Sequence, residues 1–244
     1  MILPVLDLMC GQIVRGIGGR RDAYRAIVSR IAFSAEPTAV ARAFQSHFGF
    51  EEFYLADLDA IQRGQPAFEV YRQLQHEGYR LWIDAGIRTS GDATLAALIE
   101  AEIAGIIVGL ESVEGPTELQ KIVQHAGEQR TVFSLDLKAG KPLGLSNLWT
   151  SNNPWIIAQQ AIEKCGVQRL IVLDLARVGA GDGVGTEGLC RRLKQTYPDV
   201  QVTAGGGVRG IDDVRKLTAS GVDVVLIASA LHDERITAAD VKRL

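Results

Sequence analysis

The chain repeats itself. Ile83–Asp92 (Ile-Asp-Ala-Gly-Ile-Arg-Thr-Ser-Gly-Asp) aligns with Ala204–Asp213 at an offset of 121 residues, pairing Gly86 with Gly207, Arg88 with Arg209 and Asp92 with Asp213. The same relation joins Leu6-Asp7-Leu8 and Gly11 to Leu135-Asp136-Leu137 and Gly140, Asp57-Leu58 to Asp174-Leu175, and Gly109 to Ala228, with offsets between 117 and 129. The matches fall at the ends of short apolar runs, while the intervening lengths vary. This predicts two half-barrels, about 1–125 and 126–244, that share one framework and differ in their loops.

The pattern between the matches alternates. Strands are predicted at Ile2–Leu6, Glu52–Ala56, Arg80–Asp84, Gly105–Val108, Thr131–Leu135, Arg169–Leu173, Gln201–Ala204 and Val224–Ile227. Helical patterns lie between them, near Thr38–His47, Ala67–Glu77, Gly91–Ala101, Thr117–His125, Pro154–Lys164, Thr186–Thr196 and Ile211–Ser220, with a short last one near Thr237–Arg243. Alternation of β and α at this spacing favours a parallel sheet, and eight repeats allow it to close. The expected fold is α/β, a single (β/α)8 TIM barrel over residues 1–244. Thr117 and Asp212 are candidate helix caps.

Composition narrows the function. A formal net charge of −3 with 23% charged residues implies no broad affinity for nucleic acid, and leaves room for a local basic patch that binds phosphates. No apolar run nears the length of a membrane span, and the N-terminus reads as a first strand and not as a leader. Cys10, Cys165 and Cys190 lack the spacing of a disulfide framework or zinc ribbon, so a reducing cytoplasmic setting is expected. His47, His76, His125 and His232 are scattered, and neither a metal nor another cofactor is expected. A monomer or a weak homo-oligomer is the expected state.

The repeated motifs carry the chemistry. Glycines at strand-to-helix turns let backbone N–H groups approach an anion. Two phosphate pockets are therefore expected on opposite sides of the mouth, one with Gly86, Arg88 and Gly109, the other with Gly206, Gly207, Ala228 and Ser229. Asp7 and Asp136, on the first and fifth strands, would face each other between the pockets as general acid and base. Asp57 and Asp174 at strand ends are candidates for an acid or an orienting group, with loop capping as the plainer alternative. Met9–Glu36 is a long loop with several arginines, Arg15 among them, on the side where barrel enzymes place their sites. Trp149, after the fifth strand, can stack on a flat ligand or cover the mouth.

In order and twice over, Leu6-Asp7-Leu8, Ala56-Asp57-Leu58, Gly86-Ile87-Arg88, Phe133-Ser134-Leu135-Asp136, Gly205-Gly206-Gly207 and Ala228-Ser229-Ala230-Leu231 resemble the histidine-biosynthesis barrel family of ProFAR isomerase and its cyclase relative. Phe133–Asp136 and the Trp149 loop look more like the isomerase. The resemblance implies a half-barrel duplication and a substrate with two phosphates. It also implies an aldose–ketose (Amadori) rearrangement of a phosphoribosyl aminoimidazole carboxamide, with Asp7 as base and Asp136 as the group that acts as acid or orients one. Against the family pattern, Val178 stands where an acid is usual after the sixth strand, with Asp182 as the replacement. Asp84-Ala85 replaces two glycines and Leu110 a hydroxyl residue, so the first pocket is expected to be altered. The segment Tyr24–Arg30 resembles a HisA-related branch linked to one-carbon or methanopterin metabolism, and a silent phosphate-binding partner protein is a further alternative.

Overall fold

A computed structural model describes residues 1–16, 23–144, 148–177 and 184–244. Eight parallel strands form one closed sheet among the described residues. In chain order they are β1 (Ile2–Met9), β4 (Glu52–Asp57), β5 (Arg80–Asp84), β6 (Gly105–Gly109), β7 (Thr131–Lys138), β9 (Arg169–Asp174), β10 (Gln201–Gly205) and β11 (Val224–Ile227). Each pairs with the next, and β11 returns to β1 through Ile2↔Val225, Leu3↔Leu226 and Pro4↔Ile227. The remaining strands, β2 (Gln12–Arg15), β3 (Arg25–Ala26) and β8 (Lys141–Pro142), are short antiparallel additions at the C-terminal end of the barrel.

Closure divides the apolar residues into two cores, as the period-2 side-chain alternation of a strand requires. One set, including Leu6, Phe53, Leu81, Ile106, Phe133 and Leu170, meets the surrounding helices. The other, including Leu3, Tyr54, Trp82, Ile107, Val132, Ile171 and Val224, fills the barrel. At the floor, the Arg169 guanidinium lies 4.0 Å over the Trp82 ring and Trp82 Nε1 donates to Glu52 Oε1 at 2.8 Å. Gly105 makes room for that indole, since a Cβ there would meet Trp82 Cγ at 2.7 Å.

The helices are α1 (Pro37–Phe48), α2 (Leu58–Arg63), α3 (Phe68–His76), α4 (Ala93–Glu100), α5 (Pro116–Ala126), α6 (Pro154–Cys165), α7 (Glu187–Thr196), α8 (Ile211–Ala219), α9 (Ser229–His232) and α10 (Ala238–Val241). Glu36, Asp92 and Asn153 cap α1, α4 and α6 with side-chain oxygens. Thr117 and Asp212 are not caps. They lie inside the first turns of α5 and α8, whose N-cap positions are the glycines Gly115 and Gly210.

The twofold repeat extends to turns that periodicity could not reveal. β1 turns into β2 through Cys10 (φ 50) and Gly11 (φ 74), and β7 into β8 through Ala139 (φ 53) and Gly140 (φ 75). Two consecutive positive φ values are the signature of a type I′ hairpin turn. Each half thus continues its first strand into the mouth and folds it back.

Candidate active site

The C-terminal strand ends enclose a cavity of about 1120 Å³, its open mouth included. Asp7, Tyr54, Asp84, Glu111, Asp136, Gly206, Gly207, Ala228, Ser229 and Arg235 are among the residues that line it. Both carboxylates expected to act as acid and base therefore share one cavity with the second-half glycine loop. β1 places Asp7 beside Ala56 of β4, and β7 places Asp136 beside Leu173 of β9. The strand period turns both side chains to the inside.

The two carboxyls have different surroundings. Asp7 is half-buried, whereas Asp136 is 6% exposed. Burial pushes the Asp136 carboxyl up to about 8, and the charges of Asp84 and Glu111 act in the same direction. A 2.7 Å hydrogen bond from Ser134 Oγ to Asp136 Oδ1 and one from the Glu111 backbone N–H oppose the rise. Removal of a carboxylate from water favours its neutral form. At neutral pH Asp136 can thus stand protonated and donate a proton.

Tyr54 adds a group that sequence reading missed. Its hydroxyl donates to Asp84 Oδ2 at 3.3 Å, and burial together with the charges of Asp84, Asp136 and Asp7 holds it well above the usual phenol range. It is a neutral donor among carboxylates. Tyrosine on a predicted strand reads as core, so only the closed barrel shows that this one reaches the mouth.

The phosphate loops differ between the halves. On the second-half side Gly206 and Gly207 both have φ of 83, and among the described residues their amides donate to no protein acceptor. Arg235, also missed from sequence, joins them in the cavity wall, with Nη1 donating to the Arg209 carbonyl at 3.0 Å. Arg209 itself is held by Asp213 through both carboxylate oxygens. On the first-half side the Gly86 amide donates to Asp84 Oδ1 at 3.1 Å, and the Leu110 amide to the Ser134 carbonyl at 2.9 Å. Arg88 lies out on the surface, paired with Glu114 at 3.0 Å. Neither Gly86, Arg88 nor Gly109 lines the cavity.

Four sequence-level assignments need correction or a narrower reading. Asp57 is completely buried, and its oxygens accept from the amides of Asp59, Ala60 and Ala67 and from the Tyr71 hydroxyl, so it caps α2 and does not face the cavity. Asp174 accepts from the amides of Ala139, Gly140 and Ala176, which fixes the β7–β8 turn. Arg15 does not reach the cavity, because its guanidinium is bound to both oxygens of Asp233 and to the Val28 carbonyl. Trp149 is 6% exposed and stacks on Phe133 at 5.6 Å, so it covers the core; among the described residues its buried Nε1 has no hydrogen-bond partner. Asp182 lies outside the described residues.

The cysteines stand apart from this chemistry. Burial pushes the Cys165 and Cys190 thiols up to about 11 and 12, away from the reactive thiolate. Among the described residues no helix is long and apolar enough to cross a membrane.

Sequence comparison places the architecture. The histidine biosynthesis protein family matches residues 1–237. The chain belongs to that family. An isomerase from Afipia carboxidovorans is 32% identical over 250 residues, covering 100% of this chain and 96% of the relative. One from Hyphomonas neptunium is 30% identical over 243 residues, covering 98% and 96%. Both are named for an imidazole carboxamide that bears two phosphoribosyl groups. An uncharacterized protein of Methanocaldococcus jannaschii is 30% identical over 234 residues, covering 95% of this chain and 92% of its own length. The family fold is the barrel described above, and several of its members are named as isomerases.

Proposed function

We propose that the protein is an aldose–ketose isomerase that moves protons within a phosphorylated aminosugar, with Asp136 as general acid and Asp7 as general base. The observation that carries this reading is the shared cavity, in which a carboxyl pushed up to about 8 and a half-buried carboxylate stand below the open amides of Gly206 and Gly207. The phosphate docks on Gly206, Gly207, Ala228, Ser229 and Arg235. Asp136 gives its proton to the ring oxygen, and the C1–O bond opens to a protonated Schiff base. Asp7 removes the C2 proton, and the electron pair forms the C1–C2 double bond of an enolamine. Protonation at C1 and loss of the C2 hydroxyl proton complete the aminoketose. Oxidation at C2 balances reduction at C1, so the rearrangement needs no outside electron acceptor.

The relatives' names suggest a doubly phosphoribosylated imidazole carboxamide in histidine biosynthesis as the substrate. Asp84 and Leu110 favour a second reading, in which the same chemistry acts on another phosphorylated aminosugar, as in a HisA-related branch. The test is incubation of the purified protein in deuterated water with the relatives' substrate and with a panel of phosphorylated aminoaldoses, followed by proton NMR. The expected result is loss of the C2 proton and formation of a ketose that carries deuterium at C1, both lost in Asp7→Asn. Phosphate bound at Gly206–Gly207 with no exchange on any aminoaldose would overturn the isomerase reading and leave a phosphate-binding protein without this catalysis.

A further inference from the structure

We infer that Arg15, which does not reach the cavity, sets the strength of the phosphate site from behind it: by occupying the Asp233 carboxylate, it leaves the charge of Arg235 available to the anion. This inference rests on the docking of phosphate at Gly206, Gly207 and Arg235 proposed above. It makes Arg15 a positioning residue, which acts through Asp233 and Arg235 and does not touch substrate.

Two arginines meet one carboxylate, and they meet it unequally. Arg15 takes both oxygens of Asp233, with Nη2 2.6 Å from Oδ1 and Nη1 3.1 Å from Oδ2. A fork of this kind is the strong form of an arginine–carboxylate pair. Its geometry is fixed further by a bond from Arg15 Nη2 to the Val28 carbonyl at 3.2 Å. Arg235 reaches the same carboxylate only through Nη2, 3.4 Å from Oδ2. Accordingly, the Asp233 carboxyl is held below its ordinary range first by the hydrogen bond from Arg15, and less by Arg235.

The other contact of Arg235 is with a neutral group. Its Nη1 donates to the Arg209 carbonyl at 3.0 Å, two residues beyond Gly207. A carbonyl orients a guanidinium without cancelling its charge. The guanidinium of Arg209 is itself bound by both oxygens of Asp213. Arg15, Asp233 and Arg235 therefore sum to one positive charge, and of the three Arg235 is the member that lines the cavity. If Arg15 loses its charge, the sum falls to zero. Asp233 then closes on Arg235 as a full ion pair, which turns the guanidinium from the anion and neutralises it.

Binding of inorganic phosphate to the full chain, measured by titration calorimetry and located in phosphate-soaked crystals, tests the inference. Arg15→Gln keeps a hydrogen-bond donor and removes the charge. It should weaken phosphate binding about three- to tenfold, as partly exposed charges allow. That loss should shrink at a salt concentration of about 0.5 M, where screening is strong. Arg15→Gln combined with Asp233→Asn restores the single positive charge, so its affinity should return close to the wild-type value. Asp233→Asn alone adds a positive charge and should tighten binding, which gives a reading even where Arg15→Gln does not fold. Unchanged affinity in Arg15→Gln, no recovery in the double variant, or weaker binding in Asp233→Asn would each overturn the inference and leave the phosphate site standing. Absence of phosphate at Gly206–Gly207 in the wild type would overturn both.

Discussion

In the proposed mechanism Asp136 is the general acid, and its surroundings predict how pH acts. As an acid it works while protonated, so activity should hold below about pH 8 and decline as pH rises through that value. Ser134→Ala removes a hydrogen bond that favours the ionised form, so the alkaline limb of the rate profile should move upward. Asp7→Asn and Asp136→Asn should each lower kcat by about 10²–10⁴-fold, the usual contribution of general acid–base catalysis, with phosphate affinity nearly unchanged. Stability carries the opposite signature. The folded carboxyl titrates above its unfolded value of about 3.9, so its contribution is present below that pH and is lost as pH rises through about 8. Asp136→Asn should therefore melt higher than the wild type at pH 9, with a smaller difference at pH 5, as differential scanning calorimetry can show.

The connections between elements divide between those that sequence reveals and those that tertiary contact decides. All eight barrel strands were legible, because each is a short apolar run ending at a repeated motif, and the major helices followed from their period. α2 and α9 were not, since helices of six and four residues carry too few turns for a 3.6-residue period. The roles of Asp57 and Arg15 were equally hidden. An aspartate at a strand end looks the same whether it faces a ligand or caps the next helix, and only its contacts with the Asp59, Ala60 and Ala67 amides and the Tyr71 hydroxyl show which. Arg15 meets Asp233 across 218 residues of chain, a pairing that follows from closure of β11 onto β1. These contacts, with His232 Nδ1 3.1 Å from Ser29 Oγ, fasten the loop after β1 to α9. Burial, with the Arg15 charge, pushes the His232 imidazole down to about 4, so this anchor holds above the unfolded value of about 6.5 and weakens as pH falls through about 4. Limited proteolysis should find the Tyr24–Ile31 segment more readily cleaved at pH 4 than at pH 7, and Asp233→Ala should expose it at pH 7. Where β10 meets β11, Gly205→Ala would bring a Cβ to 2.6 Å from Leu226 Cβ and 2.8 Å from its carbonyl oxygen. The expected cost is about 1–3 kcal/mol of unfolding free energy, measurable by urea titration.

The molecule as a whole is a twofold framework whose mouth has lost its twofold chemistry. The halves share strand ends, I′ hairpins and inward aspartates, yet among the described residues the Gly206 and Gly207 amides are open while the Gly86 and Leu110 amides already donate to Asp84 and to the Ser134 carbonyl. The repeat was legible because it lies in residue identities. The polarity of the mouth was legible only in part, through Asp84 and Leu110, because Tyr54, Glu111 and Arg235 enter it from positions that no motif marks. Closure of the barrel is also what raises the Asp136 carboxyl, since in the unfolded chain it is one carboxylate among many. The measurement that tests this most directly is carbon-13 NMR of protein labelled at aspartate Cγ, titrated from pH 3 to pH 10, with Asp136→Asn to assign the signal. The account predicts that the Asp136 resonance titrates near pH 8. An Asp136 signal that titrates near pH 4, like an aspartate in water, would contradict it.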